Sequence, residues 1–374
     1  MIKIGILTWL HNGNYGTILQ AYALQRFLRD EGYNVQNIDL HPTIIERTKN
    51  LIKQRNPLSL FLEKYEVYKM KIACTDSEKL KLRQEKQKDF LVNGLNLTQK
   101  YRKFSDLSEL GKTFDIYICG SDQIWSPTYF SPSYFFDFVS DEKKKIAYAC
   151  SFGISHMPKS KFERMKCLIK RFDCISVRET TGANIVNELM GQRPIVNIDP
   201  TMLLNSGEWD IICSKRIINE KYLFCFFLTY NQAYQNTVQR IAEEKGLKVV
   251  IIPMTKESYR CSSKQIIDAG PSDFLGLIKY ADFIATDSFH VCVFSIIYQK
   301  NFFVFKRFND NKKDSRNVRV YNLLNMFGLE RCIVENADNY IPIQISNKEY
   351  RLIENRMQEL SSKSKEWLLN AINE

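Results

Sequence analysis

Asp287, Ser288 and His290 interrupt the apolar stretch ADFIATDSFHVCVFSII, residues 281–297. Histidine is the side chain best suited to exchange a proton near neutral pH, since its unperturbed pKa is about 6.5. A nearby carboxylate such as Asp287 would favour the imidazolium and make His290 a competent general acid. The structural alternative is that Asp287 or Ser288 caps the helix that follows, which would leave His290 unexplained.

A second polar group follows the apolar run DIYIC. It consists of Gly120, Ser121, Asp122, Gln123 and Trp125, in the stretch GSDQIW. Glycine permits close backbone approach, while hydroxyl, carboxylate and amide groups suit sugar hydroxyls and an indole offers a flat stacking surface. A plain turn would explain GSD alone, so the glutamine and tryptophan favour a binding role.

Two further stretches could hold an anion. Asn14, Tyr15 and Gly16 lie between an apolar run and a helical pattern, where the free N–H groups of a helix start can bind an anion. An ordinary capped turn is the alternative, and the spacing fits neither a dinucleotide fingerprint nor a P-loop. Arg178 ends another apolar run, and its guanidinium can bind a carboxylate or phosphate through two parallel bonds. An ion pair with a neighbouring acid is the structural alternative.

The elements around these residues alternate between short apolar strands and amphipathic helices, which predicts parallel sheets covered on both faces. The alternation occurs twice, so we predict Rossmann-like domains over residues 1–204 and 205–345. A lysine-rich helical insertion interrupts the first at about 44–110. Residues 346–374 begin with the capping-box pattern SNKE and predict a closing helix that packs across the domain junction. Ligands of such sheets bind beyond the carboxyl ends of the strands, where the polar groups lie.

Bulk properties limit the partners. The 374 residues carry a net charge of +11, and residues 47–92 contain twelve Lys or Arg against six Asp or Glu. This segment could be a solvated helical face, or a patch for an anionic membrane surface or a phosphorylated ligand. No nucleic-acid motif accompanies the charge, so we expect no nucleic-acid partner. The ten cysteines form no CxxC pair, which predicts a reduced, cytoplasmic protein without disulfides or a zinc site.

Seven segments together resemble the polysaccharide pyruvyl transferase family and occur in its order: NYGTILQAYAL, DIYICGSDQIW, YFFDF, IAYACSFG, SVRE, IDPTMLL and TDSFHVCVFSI. The resemblance implies two Rossmann-like domains in a GT-B-like arrangement. It also implies transfer of a pyruvyl group from phosphoenolpyruvate to two hydroxyls of one sugar, as a cyclic ketal, during synthesis of a surface polysaccharide such as a capsule. By position, His290 would be the proton donor and Arg178 a cation for the donor substrate.

The same resemblance implies no metal or organic cofactor. It suggests that the protein is cytoplasmic and that its acceptor is a lipid-linked glycan at the inner face of the membrane. The basic insertion would make the contact with that membrane face. The acceptor sugar, the ketal stereochemistry and the oligomeric state are not implied.

One position departs from the family pattern. Better-characterised relatives carry arginine two residues before the histidine, and here that residue is Ser288. Either other cations replace the arginine or the donor differs. The candidate cations are Lys306, Arg307, Arg316 and Arg319, which could equally form a solvated loop. Two other functions stay open: a GT-B-type glycosyltransferase that uses a nucleotide sugar, and a glycan-binding relative without transfer activity.

Overall fold

The computed structural model describes residues 1–43, 45–46, 48–49, 72–74, 76–309 and 317–374. Within them, two six-stranded parallel sheets follow one another along the chain. The first sheet has the order β2-β1-β3-β4-β5-β6 and the second β12-β11-β10-β7-β8-β9. The strands are β1 Lys3–Leu7, β2 Asn34–Asn37, β3 Ile116–Cys119, β4 Lys144–Cys150, β5 Cys174–Val177, β6 Ile195–Val196, β7 Tyr222–Phe226, β8 Lys248–Ile251, β9 Lys264–Gln265, β10 Phe283–Thr286, β11 Phe302–Phe305 and β12 Ile333–Val334.

Helices connect and cover these strands. They are α1 Tyr15–Asp30, α2 Ser77–Gly94, α3 Lys159–Ile169, α4 Thr180–Met190, α5 Ser206–Asp210, α6 Gln232–Glu244, α7 Pro271–Lys279, α8 Phe289–Ile297, α9 Val318–Met326 and α10 Asn347–Asn373. Central strands such as β3, β7 and β10 are buried along their whole length, as expected for parallel strands covered on both faces. The prediction of two doubly wound α/β units is therefore confirmed.

The two sheets share one core. A single cluster of buried apolar side chains includes Ile6 of β1, Leu24 of α1, Phe224 of β7 and Phe294 of α8. Tyr15, the first residue of α1, is also buried at this junction. Its hydroxyl donates to the carbonyl of Ala269 at 2.7 Å, and burial raises the pKa of Tyr15 to about 12. The N-terminus of α1 is therefore fixed against the second half of the chain.

Helix α2 belongs to the predicted basic insertion, of which residues 44, 47, 50–71 and 75 lie outside the described residues. Arg83 of α2 is buried and donates to the carbonyls of Ile267, at 2.5 Å, and Pro253, at 3.1 Å. Lys86 forms an ion pair with Asp273 at 2.8 Å. Both side chains contact the second half of the chain, and the buried Arg83 therefore belongs neither to a solvated face nor to a surface patch.

Helix α10 begins at the predicted capping box, in which Ser346 and Glu349 each bind the other's backbone N–H. The helix contacts both halves of the molecule. Near its start, the Tyr350 hydroxyl donates to the carbonyl of Lys300, and further along the Ser364 hydroxyl accepts from the N–H of Ile198 at 3.2 Å. None of the helices in the described part of the chain combines the length and apolar character needed to cross a bilayer.

Candidate functional site

The strand order reverses between β1 and β3 in the first sheet and between β7 and β10 in the second. Such switch points open a crevice at the carboxyl ends of the strands, where doubly wound proteins bind ligands. The polar stretches singled out in the sequence follow β1, β3, β5 and β10. The fold brings all four together where the two halves of the chain meet.

His290, in the first turn of α8, packs against Gly16 in the first turn of α1. A Cβ atom on Gly16 would lie 2.1 Å from both Cγ and Nδ1 of the imidazole, so only glycine leaves room for the ring. Asn14 caps α1, and its side chain accepts from the N–H of Gly16 at 3.0 Å. The histidine of one half is thereby held on the helix start of the other.

A buried ion network surrounds Arg178, which follows β5. Its Nη1 donates to Asp199 Oδ2 at 2.5 Å, and its Nη2 lies 3.4 Å from Asp122 Oδ1. Burial, the largest single influence, would raise the pKa of both carboxyls, but the combined effect of Arg178, His290 and threonine hydrogen bonds holds each pKa below its ordinary value. The two carboxylates of the network therefore stay ionised.

Asp199 also connects this network to His290. Its Oδ2 atom lies 3.7 Å from Nε2 of the imidazole, a distance that suits charge attraction but is too long for a hydrogen bond. Among the described residues, Nε2 has no hydrogen-bond partner. The imidazole thus lies beside an ionised carboxylate with one nitrogen atom unoccupied.

Phe289, next to His290, lies between two guanidinium groups. The Cζ atom of Arg178 is 4.5 Å from its ring centroid, and the Cζ atom of Arg319 is 5.8 Å from it. Arg319 is the second residue of α9 and also contacts the first half of the chain. The Gln123 amide is oriented with its oxygen toward Arg319 and accepts from Nη2 at 3.1 Å and Nη1 at 3.2 Å.

Some residues of the stretch after β3 belong to the site, and others belong to the core. Asp122 accepts from the Thr17 hydroxyl at 2.6 Å, and Ser121 donates to the carbonyl of Ala149 at 2.5 Å. A side chain on Gly120 would collide with the carbonyl of Tyr148, which explains the glycine.

Trp125 does not provide the predicted stacking surface for a ligand. Its indole is fully buried and stacks on Phe135 with 5.4 Å between ring centroids. Apolar packing neighbours, supplied by distant parts of the chain, make it a core residue.

Asp287 and Ser288 also differ from the expected arrangement. The Asp287 carboxylate accepts from the N–H groups of Leu228, at 2.7 Å, and Thr229, at 3.0 Å, so it fixes the loop after β7. The prediction that it pairs with His290 was wrong, because Asp199 occupies that role. Ser288 makes no side-chain cap on α8, and its N–H donates to the Thr286 hydroxyl at 3.0 Å.

The remaining predicted cations lie beside a cavity of about 580 Å³ at the carboxyl ends of β7 and β11. Lys306 and Arg307 line it together with Tyr230, Asn231 and other residues of these loops. Lys306 also pairs with Glu335 at 2.5 Å. Arg316 lies outside the described residues.

Asp199 and Phe289 are site residues that the sequence reasoning did not single out. Asp199 lies in IDPTMLL, one of the segments that resemble the family. Its position could have identified it, because it is a carboxylate directly after the apolar run IVNI. Phe289 carries no such signal, because an aromatic residue in an apolar helix is ordinary core.

Comparisons with known proteins agree with this architecture. A structure assigned as a UDP-N-acetylglucosamine 2-epimerase from Listeria monocytogenes has a TM-score of 0.53 at 11% identity, over 99% of this chain and 91% of that one. The UDP-GlcNAc 2-epimerase from Neisseria meningitidis has a TM-score of 0.49 at 8% identity, over 100% and 99%. The first of these likenesses supports the predicted GT-B-like arrangement of the two units, and at this identity it concerns the fold alone.

No curated protein matches the sequence significantly. A family model does: that of polysaccharide pyruvyl transferase matches residues 14–307, which contain every described site residue named above except Arg319 and Glu335. The chain therefore belongs to the polysaccharide pyruvyl transferase family.

Proposed function

We propose that this protein transfers a pyruvyl group from phosphoenolpyruvate to two hydroxyls of a sugar, with His290 as the general acid. Family membership supports the reaction class. The observation that carries the proposal for this chain is the position of His290, at the meeting point of two switch-point crevices and beside an ionised carboxylate. Through Asp199, the proposed proton donor is joined to the guanidinium of Arg178.

The proposed reaction begins with proton transfer from His290. His290 donates a proton to the methylene carbon of phosphoenolpyruvate, which becomes a methyl group, and the adjacent carbon becomes electrophilic. Two sugar oxygens bond to that carbon, and its bond to the phosphate oxygen breaks. Of the two hydroxyl protons released, one restores His290 and the other leaves with phosphate. The ionised Asp199 would stabilise the imidazolium before the transfer.

We further propose a glycan acceptor, which could be lipid-linked, and a cytoplasmic protein that meets it at the inner face of the membrane. The basic charge of residues 47–92 supports this proposal. Arg83 is excluded from such contact because it is buried and bound to carbonyl groups within the protein.

The test is acceptor-dependent release of phosphate from phosphoenolpyruvate across a panel of sugars with neighbouring hydroxyl groups. The proposal predicts release with at least one acceptor and a product containing a new methyl group, measured by NMR. Release that is independent of any acceptor would indicate a phosphatase and contradict it.

The cavity beside Lys306 and Arg307 favours one alternative, a glycosyltransferase that uses a nucleotide sugar. Two cations and the ring of Tyr230 could hold a diphosphate and a base. If this alternative holds, nucleoside diphosphates should raise the melting temperature and phosphoenolpyruvate should not.

Gly16→Ala tests whether the contact between α1 and His290 matters for turnover. The new Cβ would overlap the imidazole, so the ring must move by about 1 Å or more. Because misplacement on that scale costs about 10²-fold, we expect kcat to fall at least that far. Gly94→Ala is the control, since its Cβ would meet Phe90 at an ordinary 3.5 Å. Equal rates for both variants would show that this contact is dispensable.

A further inference from the structure

Arg319 is a buried cation without a carboxylate partner. Its residue is 8% exposed, and its guanidinium is bound by the neutral amide of Gln123. Among the described residues, no carboxylate oxygen lies within ion-pair distance of it, and its Nε atom has no hydrogen-bond partner. Burial and the nearby charge of Arg178 lower the pKa of Arg319 to about 9 against the opposing charges of Asp122 and Glu179, and this still leaves it charged at neutral pH.

Arg178 differs from Arg319 in having carboxylate partners. It lies over the same phenyl ring, that of Phe289, but it forms direct ion pairs with Asp199 and Asp122. Two guanidinium groups on one ring repel each other, and a buried cation with no carboxylate within ion-pair distance is costly, although the more distant Asp122 and Glu179 offset part of that cost. Packing alone does not explain why Arg319 is placed there, because an apolar side chain would fill the space without that cost.

We propose that Arg319 binds an oxyanion, a carboxylate or phosphate group of the substrate, and so supplies the cation that Ser288 does not. The guanidinium groups of Arg178 and Arg319 both act on the carboxylate of Asp122, and His290 lies in the same network. An anion bound to Arg319 would therefore lie in the same crevice as the general acid. Naming phosphoenolpyruvate as the ligand rests on the proposed function, whereas the oxyanion site itself does not.

The location of α9 suits this role. Asn322, one turn after Arg319, accepts from the N–H of Thr180 at 3.3 Å, at the start of α4 in the first half of the chain. Helix α9 belongs to the second half, so Arg319 reaches Gln123 across the junction. A ligand bound there would contact both halves, and the guanidinium would already be oriented by Gln123 and Phe289.

The experiment compares the native chain with Arg319→Gln and Arg319→Lys, using inorganic phosphate and phosphoenolpyruvate as probes. Calorimetry gives the dissociation constants, and thermal unfolding gives the melting temperature with and without each probe. Arg331→Gln is the matched control, because Arg331 forms a half-exposed pair with Glu349 far from the crevice.

We expect both probes to bind the native chain and to raise its melting temperature. Arg319→Gln should weaken binding of both by 10-fold or more, since it removes a charged hydrogen bond, and Arg319→Lys should weaken it less. Without ligand, Arg319→Gln should melt at the same temperature as the native chain or higher, because it breaks no ion pair and relieves the repulsion between Arg319 and Arg178. Arg331→Gln should bind as the native chain does.

A lower melting temperature or failure to fold in Arg319→Gln would overturn the inference, because it would make Arg319 a structural residue. Unchanged affinity for the probes, or no binding of either probe to the native chain, would overturn it too. If phosphate binds through Arg319 but no acceptor-dependent transfer occurs, the oxyanion site stands and the pyruvyl transfer proposal fails.

Discussion

His290→Ala is expected to reduce acceptor-dependent release of phosphate from phosphoenolpyruvate by about 10²- to 10⁴-fold, the usual contribution of a general acid. Protonation of the methylene carbon is the step that makes the donor electrophilic, and the position of His290 beside Asp199 suits it to supply that proton. Binding of phosphoenolpyruvate should change little, because Arg319 rather than His290 is proposed to hold the donor anion. Steady-state rates and calorimetry on the same preparations measure the two effects separately.

His156→Ala is the control for this substitution, because His156 is exposed, whereas His290 is buried. It should retain the native rate. If His290→Ala also retained the native rate, the proton would have to come from another group, and the assignment of His290 would be wrong.

Arg178→Met is expected to lower the free energy of unfolding by about 3–5 kcal/mol at pH 7. The substitution leaves the carboxylates of Asp199 and Asp122 buried without their cation, and a buried unpaired charge is strongly destabilising. Transfer activity should be lost as well, since Asp199 would no longer be held beside His290. Denaturant unfolding monitored by circular dichroism measures the change.

The pH dependence of this loss has a definite sign. In the native chain the pKa values of Asp199 and Asp122 are lowered, so their stabilisation is present above their ordinary value and is lost only as the pH falls below it. In Arg178→Met, burial would raise both pKa values, and protonation at lower pH would relieve the unpaired charges. The difference between native and variant should therefore be largest near pH 7 and shrink toward pH 4.

Two further variants check the mechanism. Arg26→Met removes an exposed pair with Asp30 and should change stability by no more than about 0.5 kcal/mol. Adding Asp199→Asn to Arg178→Met should recover part of the lost stability, because it removes one unpaired charge. No recovery would indicate that Arg178 acts through packing on Phe289 rather than through charge.

The fold was predictable because its signals are local. Apolar runs such as DIYIC and DFIAT alternate with helical patterns, and this alternation alone specifies parallel sheets. The same logic placed His290, Asp122 and Arg178 at strand ends, where the structure has them. The start of α10 followed from four residues, because a capping box is itself a local pattern.

The pairings within the site were not predictable, because they join distant parts of the chain. Asp287 is three residues from His290 in sequence, but the carboxylate beside that histidine belongs to Asp199. Trp125 follows the polar turn after β3, yet its neighbours in space are Phe135 and Phe152. Which polar side chain turns inward depends on packing that no single segment encodes.

The contacts of helix α2 were not predictable for the same reason. Its charges suggested a solvated face or a surface patch, whereas Arg83 satisfies two carbonyl groups of the second half of the chain. A basic side chain and a distant carbonyl leave no shared pattern in the sequence. The role of that part of the insertion therefore emerged only from the fold.

Phosphoenolpyruvate is proposed to bind as the donor in the crevice where the two halves of the chain meet, beside His290 and Arg319. The most direct test is calorimetric titration of the native chain with millimolar phosphoenolpyruvate, repeated with His290→Ala and Arg319→Gln. We predict saturable binding by the native chain and similar binding by His290→Ala. Binding by Arg319→Gln should be weaker by 10-fold or more. Absence of binding to the native chain at millimolar concentration would contradict the proposal.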